Sequence, residues 1–219
     1  MPDTQQAVNA SITPPNIANI VFDIGNVLYA YDPVALIHKI LGSTPYESQF
    51  LEHLFHAPLW QSLDRGDLSE SEALAHLGSL CADLEFLSGC RQLLTYFACH
   101  LDPIPETHQL LVDLAGHYPV YLLTNFQSMP YKRLFESSPI LSLSKGAIVS
   151  ADETCMKPEP QIYDLLLTRF SLRPEQTLFI DDMPANIAAA RDKGMHAVHF
   201  ADPGALRPFL QSFYNLKGL

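Results

Sequence analysis

Acidic side chains stand directly after two short apolar runs of the sequence, where they could serve phosphate or metal chemistry. Asp23 follows the run 17–22 (IANIVF), and the pair Asp181 and Asp182 follows the run 177–180 (TLFI). A carboxylate can attack phosphorus and form an aspartyl-phosphate, which divides one difficult displacement into two easier ones. Carboxylate oxygens are also the protein ligands that Mg²⁺ prefers, together with water and substrate phosphate. These residues therefore predict a nucleophile, Asp23, beside a Mg²⁺ site.

Hydrogen-bond donors and a cation are available at two further places. Thr124 and Asn125 end another apolar run (PVYLL), and Lys157 precedes a proline. Phosphoryl transfer needs cations and donors that are aimed at the phosphoryl oxygens. We expect Lys157 to pair with Asp23 and with the phosphoryl group, and Thr124 and Asn125 to bind the same group. For Asn26, a substrate contact and a turn role are equally open.

Short apolar runs alternate with helical patterns around these residues. The predicted strands lie at 17–22, 119–123, 147–149, 177–180 and 197–200, and the predicted helices at 106–116, 159–170 and 184–194. This alternation indicates an α/β fold with a doubly wound, mostly parallel sheet, whose ligands bind outside the carboxyl ends of the strands. We therefore expect the polar residues to meet at one edge of the sheet.

The segment from about residue 31 to residue 103 departs from this alternation. Asp32 begins a helix in the N-cap pattern, Ser69 and Glu72 have the spacing of a capping box, and the remaining stretches are amphipathic with no convincing strand. We expect the aromatic side chains of this segment, Trp60 among them, to form its core rather than a substrate platform. The segment is predicted to be an all-helical cap.

These patterns predict a core domain that is interrupted by the cap after the first strand. The core is expected at 17–30 and 104–219, and the cap at 31–103. The preceding residues 1–16 show no periodicity and include a Pro-Pro pair, which predicts a disordered arm.

The composition narrows the class of partner. The formal net charge is −11 and basic residues are not clustered, which argues against nucleic acids and anionic membranes as partners. Apolar runs fall short of the roughly 18 residues of a membrane span, and no secretory signal pattern precedes the core. We expect a cytoplasmic protein, most simply a monomer, that acts on a small-molecule phosphate ester.

Taken in order, the motifs resemble those of the haloacid dehalogenase superfamily. The resembling segments are FDIGNVL, LLTN, the KP pair with PQIY after it, and FIDDMPANIAAARDKG, and together they span nearly the whole chain after the arm. The helical insertion resembles the cap of the phosphoglycolate-phosphatase-like subgroup. The Gly-Asn pair and the LDRGDLS turn are most similar to those of the α-D-glucose-1-phosphate phosphatases. The resemblance implies a Rossmann-like core and a Mg²⁺-dependent phosphatase for a small phosphometabolite, sugar phosphates included.

The resemblance also implies a set of metal ligands. It aligns Asp182 with the liganding position of the family, so that Asp182, Asp23 and the backbone carbonyl of Gly25 would bind Mg²⁺. Asp181 and Asn186 are then partners that orient the ligands. The opposite assignment of Asp181 and Asp182 stays open.

Gly25 departs from the family pattern, because phosphatases of the superfamily usually carry a second Asp there as general acid and base. On one interpretation the substrate has an easily departing oxygen, as in an anomeric sugar phosphate, and a water or a cap residue supplies the proton. The cap candidates are Asp32, Asp64 and Asp67. A second interpretation is a metal-free dehalogenase, against which the two adjacent carboxylates argue. A third is a phosphate-binding or regulatory protein with negligible turnover.

Overall fold

The computed structural model of the protein describes residues 15–219, so most of the predicted arm of residues 1–16 lies outside the described residues. The elements follow in the order β1 (Asn19–Phe22), β2 (Tyr29–Ala30), α1 (Pro33–Leu41), α2 (Glu47–Phe50), α3 (Pro58–Arg65), α4 (Glu70–Leu80), α5 (Leu84–Tyr96), β3 (Asp102–Pro103), α6 (Pro105–Ala115), β4 (Val120–Thr124), α7 (Ser128–Ser137), β5 (Ala147–Val149), α8 (Ser150–Glu153), α9 (Pro160–Arg169), β6 (Thr177–Asp181), α10 (Pro184–Asp192), β7 (His196–His199) and α11 (Pro203–Phe209). Within this part of the chain, none of the helices is both long enough and apolar enough to cross a membrane.

Five parallel strands form the central sheet in the order β5, β4, β1, β6, β7. In the middle strand, Ile20 and Phe22 pack into one buried cluster, whereas Val21 packs into a second one. Because successive side chains of a strand point to opposite faces, the two clusters cover the two faces of the sheet. The sheet is therefore doubly wound, and the predicted fold class is confirmed.

The three predicted core helices are present as α6, α9 and α10. Each begins with a proline, namely Pro105, Pro160 and Pro184. Proline is tolerated there because the N–H groups of the first turn have no partner within a helix. Three further core helices, α7, α8 and α11, were not predicted. Pro130 in the first turn of α7 and Pro208 inside α11 interrupt the helical pattern, and α8 has only four residues.

The chain leaves the sheet and returns to it through β2 and β3, which pair antiparallel. Tyr29 lies opposite Pro103, and Ala30 lies opposite Asp102. We predicted no strand between residues 32 and 103, and this prediction is wrong for the last two of them. A strand of two residues is too short to show the alternation of apolar and polar residues that marks a strand in a sequence. Its formation depends on a pairing partner far along the chain. The pair joins the two ends of the helical insertion.

The helical insertion begins and packs as its sequence suggests. Asp32 caps α1 by accepting hydrogen bonds from two backbone N–H groups, and the capping box between Ser69 and Glu72 is complete. Both predicted helix starts are confirmed. The rings of Phe50 and Phe86 stack in the interior of the insertion, with centroids 5.2 Å apart. Both rings belong to the same buried cluster as Ile20 and Phe22 of β1, so the insertion shares its core with one face of the sheet.

Candidate active site

The carboxyl ends of neighbouring strands bring three acidic residues together. Asp23 follows β1, Asp181 ends β6, and Asp182 comes next. The parallel pairing of β1 with β6 sets Phe22 opposite Ile180, so the two chains leave the sheet side by side. One carboxylate oxygen from each acidic residue lies within 4.8 Å of the others. The sheet edge therefore concentrates three carboxylates, which we call the acidic cluster.

Lys157 joins two members of the acidic cluster. Its Nζ lies 2.7 Å from Asp23 Oδ1 and 2.7 Å from Asp181 Oδ2, and its side chain is 1% exposed. Burial by itself lowers the pKa of the Lys157 ammonium, but the two carboxylates outweigh burial and raise that pKa above its ordinary value. Lys157 is therefore a fixed positive charge, which can neutralise one carboxylate and attract a phosphate.

The surroundings of Asp181 and Asp182 are different. Asp181 is fully buried, and its two oxygens accept hydrogen bonds from Lys157, from Asn186 Nδ2 and from a backbone N–H. The carboxylate of Asp182 accepts one hydrogen bond, 3.3 Å long, from Asn26 Nδ2. A metal ion needs a carboxylate that is not already saturated by donors. The geometry therefore favours Asp182 as a ligand, with Asp181 and Asn186 behind it.

Asn26 connects this cluster to the strand that leads into the cap. Its backbone has φ 52°, and its Oδ1 accepts a hydrogen bond of 3.0 Å from the backbone N–H of Tyr31. Asn tolerates this left-handed conformation better than most residues, because its short polar side chain can bond locally. Asn26 therefore holds a turn, and through Nδ2 it also touches Asp182.

Thr124 and Asn125 lie at the end of the neighbouring strand β4. Asn125 forms two hydrogen bonds of 2.8 Å with the backbone of Lys157, one as donor through Nδ2 and one as acceptor through Oδ1. Its side chain therefore holds the Lys157 backbone in place and keeps one amide hydrogen for another partner. Thr124 is 1% exposed.

A cavity of about 400 Å³ lies between this edge of the sheet and the helical insertion. The residues that line it from the core include Asp23, Gly25, Asn26, Asn125, Lys157 and Asp182. The residues that line it from the insertion are Tyr31, Trp60, Gln61, Asp64 and Phe97. Thr124 is not among the lining residues, so its phosphate contact has no support from the cavity wall. Trp60, which we expected in the cap core, is 7% exposed and also faces this cavity.

The charge of the acidic cluster fits a divalent cation. Burial raises the pKa of Asp23 to about 7, Lys157 opposes this rise, and the neighbouring Asp181 carboxylate adds to it. Three carboxylates against one ammonium leave an excess of two negative charges when all are ionised. Mg²⁺ supplies two positive charges and takes carboxylate, carbonyl and water oxygens as ligands. The donors that are present therefore suit Mg²⁺.

Several cavity residues were not singled out from the sequence. In the sequence, nothing distinguishes Tyr31, Gln61 and Phe97 from ordinary cap residues. Their position over Asp23 depends on how the insertion folds back. One signal was available: Trp60 and Asp64 are four residues apart, so they share one face of a helix. This spacing predicts that the two side chains lie on the same side of α3, but it does not indicate whether that side faces Asp23.

The fold and this cluster together define a class of hydrolases. The chain belongs to the haloacid dehalogenase-like hydrolase family, whose model matches residues 17–194, and the resemblance seen in the motifs is confirmed. A sesquiterpene phosphatase from Aspergillus oryzae is 26% identical over 191 residues, covering 83% of this chain and 89% of that protein. The D-ribitol-5-phosphate phosphatase of Bacteroides thetaiotaomicron is 28% identical over 189 residues, covering 81% and 89%.

A solved structure shares the fold. A haloacid dehalogenase family enzyme from Bacteroides thetaiotaomicron, in complex with magnesium and inorganic phosphate, superposes with a TM-score of 0.70 and 20% sequence identity. The match covers 84% of this chain and 94% of that one. The shared fold therefore covers most of this chain.

Proposed function

We propose that the protein is a Mg²⁺-dependent phosphatase that hydrolyses the monoester of a small phosphometabolite through an aspartyl-phosphate on Asp23. The observation that carries this proposal is the contact of Asp23 with Lys157 at 2.7 Å, on the wall of a cavity that Asp182 also lines. A nucleophile, a fixed cation and a candidate metal ligand thus face one space. Two relatives of nearly equal length have phosphatase names, which supports the same reaction.

Each residue has a distinct task in the proposed reaction. Asp23 attacks phosphorus with the carboxylate oxygen that Lys157 does not hold, and the ester oxygen leaves with its electron pair. Lys157 favours the ionised form of Asp23, holds Asp23 in place, and donates to a phosphoryl oxygen as negative charge develops. Asn125 fixes Lys157 through its backbone, and its remaining amide hydrogen can reach the phosphate. Water then attacks phosphorus and releases Asp23.

Asp23, Asp182 and the backbone carbonyl of Gly25 are the groups that would hold Mg²⁺. When bound there, Mg²⁺ would supply positive charge to the phosphoryl oxygens and to the acidic cluster. Asp181 and Asn186 keep Lys157 and the cluster oriented. For Thr124 we retain a part in phosphate binding as a proposal, through the backbone at the end of β4.

The cavity limits the size and kind of the substrate. A volume of about 400 Å³ accommodates a phosphate and a compact organic group. Its cap wall combines aromatic rings with the polar groups of Gln61 and Asp64, a mixture that suits a sugar or a polyol. The D-ribitol-5-phosphate phosphatase similarity agrees with this choice. An anomeric sugar phosphate remains our preferred single substrate class, because its ring oxygen eases departure of the leaving oxygen.

The remaining expectations belong to this proposal. They are the division into a core (17–30 and 104–219) and a cap (31–103), action as a monomer in the cytoplasm, and the absence of nucleic acid partners. Closure of the cap over bound substrate would exclude water from the aspartyl-phosphate until the second step. Closure of the cap on ligand binding would be visible as a decrease in the radius of gyration by small-angle scattering.

Two alternatives follow from Gly25. A phosphate-binding or regulatory protein would keep Asp23, Lys157 and Asp182 but show no turnover. A metal-free dehalogenase would gain nothing from Asp182, whose negative charge repels an attacking carboxylate. The decisive experiment assays a panel of phosphometabolites and, separately, a 2-haloacid, each with Mg²⁺ and with EDTA, using wild type and Asp23→Asn. We expect Mg²⁺-dependent phosphate release by wild type alone. Equal residual activity of both proteins would support the binding protein, and EDTA-resistant halide release would support the dehalogenase.

A further inference from the structure

The structure sharpens the question of where the proton for the leaving group comes from. In the described part of the chain, nothing lies within 4 Å of a β-carbon built on Gly25, and Gly25 is not among the residues with positive φ. The place of the family's usual acid is therefore open space rather than another functional group. Since a general acid is typically worth about 10²–10⁴-fold, a proton donor on the opposite wall would matter.

The three cap acids that the sequence made candidates for the proton donor differ in their positions relative to the cavity. Asp32 is exposed and occupied as the cap of α1. Asp67 is exposed and pairs with Arg65, with Oδ2 3.3 Å from the guanidinium Nε. Asp64 is partly buried and lines the cavity that Asp23 and Lys157 line from the other side. Only Asp64 among the three faces the reacting groups.

We infer that Asp64, at the end of α3 in the helical insertion, is the general acid and base of the reaction and replaces the carboxyl missing at Gly25. This inference rests on the proposed phosphatase function. It assigns a catalytic role to a residue of the cap wall, so the proton donor and the nucleophile come from opposite sides of the cavity.

The end of α3 is held firmly against the core, which a proton donor requires. Ser150 Oγ donates a hydrogen bond to the backbone carbonyl of Asp64. Arg65 forms an ion pair with Glu159, two residues from Lys157. Gly66, with φ 83°, lies so close to the backbone of Ala151 that a β-carbon would collide with it. These contacts fix the backbone on both sides of the Asp64 carboxyl relative to the core.

The surroundings of Asp64 favour its protonated form. Burial raises the pKa of the Asp64 carboxyl well above its ordinary value, and the nearby Gln127 and Trp60 side chains oppose this only in part. Tyr31 is the neighbouring titratable group, and its own pKa is raised by burial and by the charge of Asp64. Among the described residues, the buried Tyr31 hydroxyl has no hydrogen-bond partner. A carboxyl that keeps its proton near neutral pH can act as a general acid.

The charged groups Asp23, Asp182 and Lys157 line the same cavity as Asp64. None of them contributes to the shift of the Asp64 pKa, which burial causes. Arg65, the next residue, is already paired with Glu159 and Asp67. Burial is therefore the dominant influence on the pKa of the Asp64 carboxyl.

In the proposed reaction, Asp64 gives up one proton in the first step and takes one back in the second. As Asp23 forms its bond to phosphorus, the ester P–O bond breaks and Asp64 gives its proton to the departing oxygen, which leaves as a neutral alcohol. The Asp64 carboxylate then takes a proton from water while the water oxygen attacks phosphorus. The bond between Asp23 and phosphorus breaks, inorganic phosphate leaves, and both carboxyls return to their starting states.

The test uses two aryl esters that differ mainly in the leaving group, phenyl phosphate and 2,4-dinitrophenyl phosphate, with Mg²⁺ and the full chain. In Asp64→Asn we expect kcat for phenyl phosphate to fall by about 10² or more, because phenoxide needs a proton. With 2,4-dinitrophenyl phosphate, a rapid burst of about one dinitrophenolate per protein should persist, followed by slow turnover, because the second step lacks its base. Asp67→Asn, on the same turn, is the matched control and should behave as wild type.

A rescue experiment completes the test. Since a side chain fits at Gly25, the double variant Gly25→Asp and Asp64→Asn should regain at least about tenfold in kcat for phenyl phosphate over Asp64→Asn alone. Loss of the dinitrophenolate burst in Asp64→Asn, or wild-type rates on phenyl phosphate, would overturn the assignment of Asp64. Asp23→Asn separates the two hypotheses, because its inactivity on both esters would leave the phosphatase function standing whatever Asp64 does.

Discussion

Replacing Lys157 by Met tests the energetic role of the buried cation. The ammonium of Lys157 lies 2.7 Å from both Asp23 and Asp181. At an effective dielectric constant of about 20, two opposite unit charges at that separation attract by about 6 kcal/mol. Most of this attraction is offset by the cost of burying the charges and by proton uptake once the cation is gone. Removing one partner of a buried ion pair costs about 3–5 kcal/mol in measured cases, and we expect Lys157→Met to fall in that range.

Urea unfolding at neutral pH in the presence of EDTA measures this cost without a contribution from bound metal. The matched control is Lys193→Met, because Lys193 forms an ion pair of similar length, 2.6 Å, with Asp164 at the surface, where Asp164 is 58% exposed. Exposed pairs contribute about 0–1 kcal/mol, so this control should change the free energy of unfolding little. Mg²⁺ should then restore part of the stability of Lys157→Met, because the cation replaces lost positive charge.

The same variant bears on catalysis. Lys157→Met should lower kcat by about 10²–10³, the usual effect of removing one donor to a developing oxyanion. Lys193→Met should retain wild-type kcat. If Lys157→Met unfolds within about 1 kcal/mol of the Lys193→Met control, the carboxylates do not depend on the ammonium, and our electrostatic account of the acidic cluster is refuted.

Three further variants test other parts of the structure. Asp64→Asn should gain stability relative to wild type as pH rises above about 4. Burial raises the pKa of Asp64, so the stability that its protonated carboxyl gives wild type is fully present below the unfolded pKa of about 4 and is lost as pH rises through the folded pKa. A pH-independent difference in urea unfolding would contradict this. Ser69→Ala removes the cap of α4 and should lower the free energy of unfolding by about 1 kcal/mol, as measured by thermal unfolding. An unchanged free energy of unfolding would show that this cap does not stabilise the protein. Arg65→Ala breaks the partly exposed pair with Glu159, so kcat should fall severalfold while stability changes by under about 1 kcal/mol, and unaltered kcat would show that this contact does not position α3.

The secondary structure of the core was predictable because its signals are local. The apolar run before Asp23 and the one before Asp181 are short, β-branched or aromatic, and end at polar residues, which is typical of buried parallel strands. The two-residue strand β3 was missed, because nothing within Asp102–Pro103 indicates a partner at Tyr29–Ala30. Helix α11 was missed because Pro208 lies inside it, and an internal proline argues against a helix. In the folded protein, tertiary packing outweighs this local preference.

The same distinction applies to the candidate site. Asp23, Lys157, Asp181 and Asp182 could be grouped from the sequence, because parallel strands must end at one edge of a sheet. The sequence could not decide which of Asp181 and Asp182 is the direct metal ligand. The choice depends on which carboxylate accepts hydrogen bonds from Lys157 and Asn186, and only the folded chain brings these two residues to Asp181.

The sequence by itself determined the family, the parallel sheet and the acidic residues at its edge, because strand ends and motif order are properties of short segments. Only the tertiary structure decided what faces Asp23 across the cavity. The distance between α3 and β1 is set by the packing of the whole insertion, by the β2–β3 pair and by contacts such as that of Arg65 with Glu159. No local pattern encodes that approach, so Asp64 could be separated from Asp32 and Asp67 only after the chain was folded.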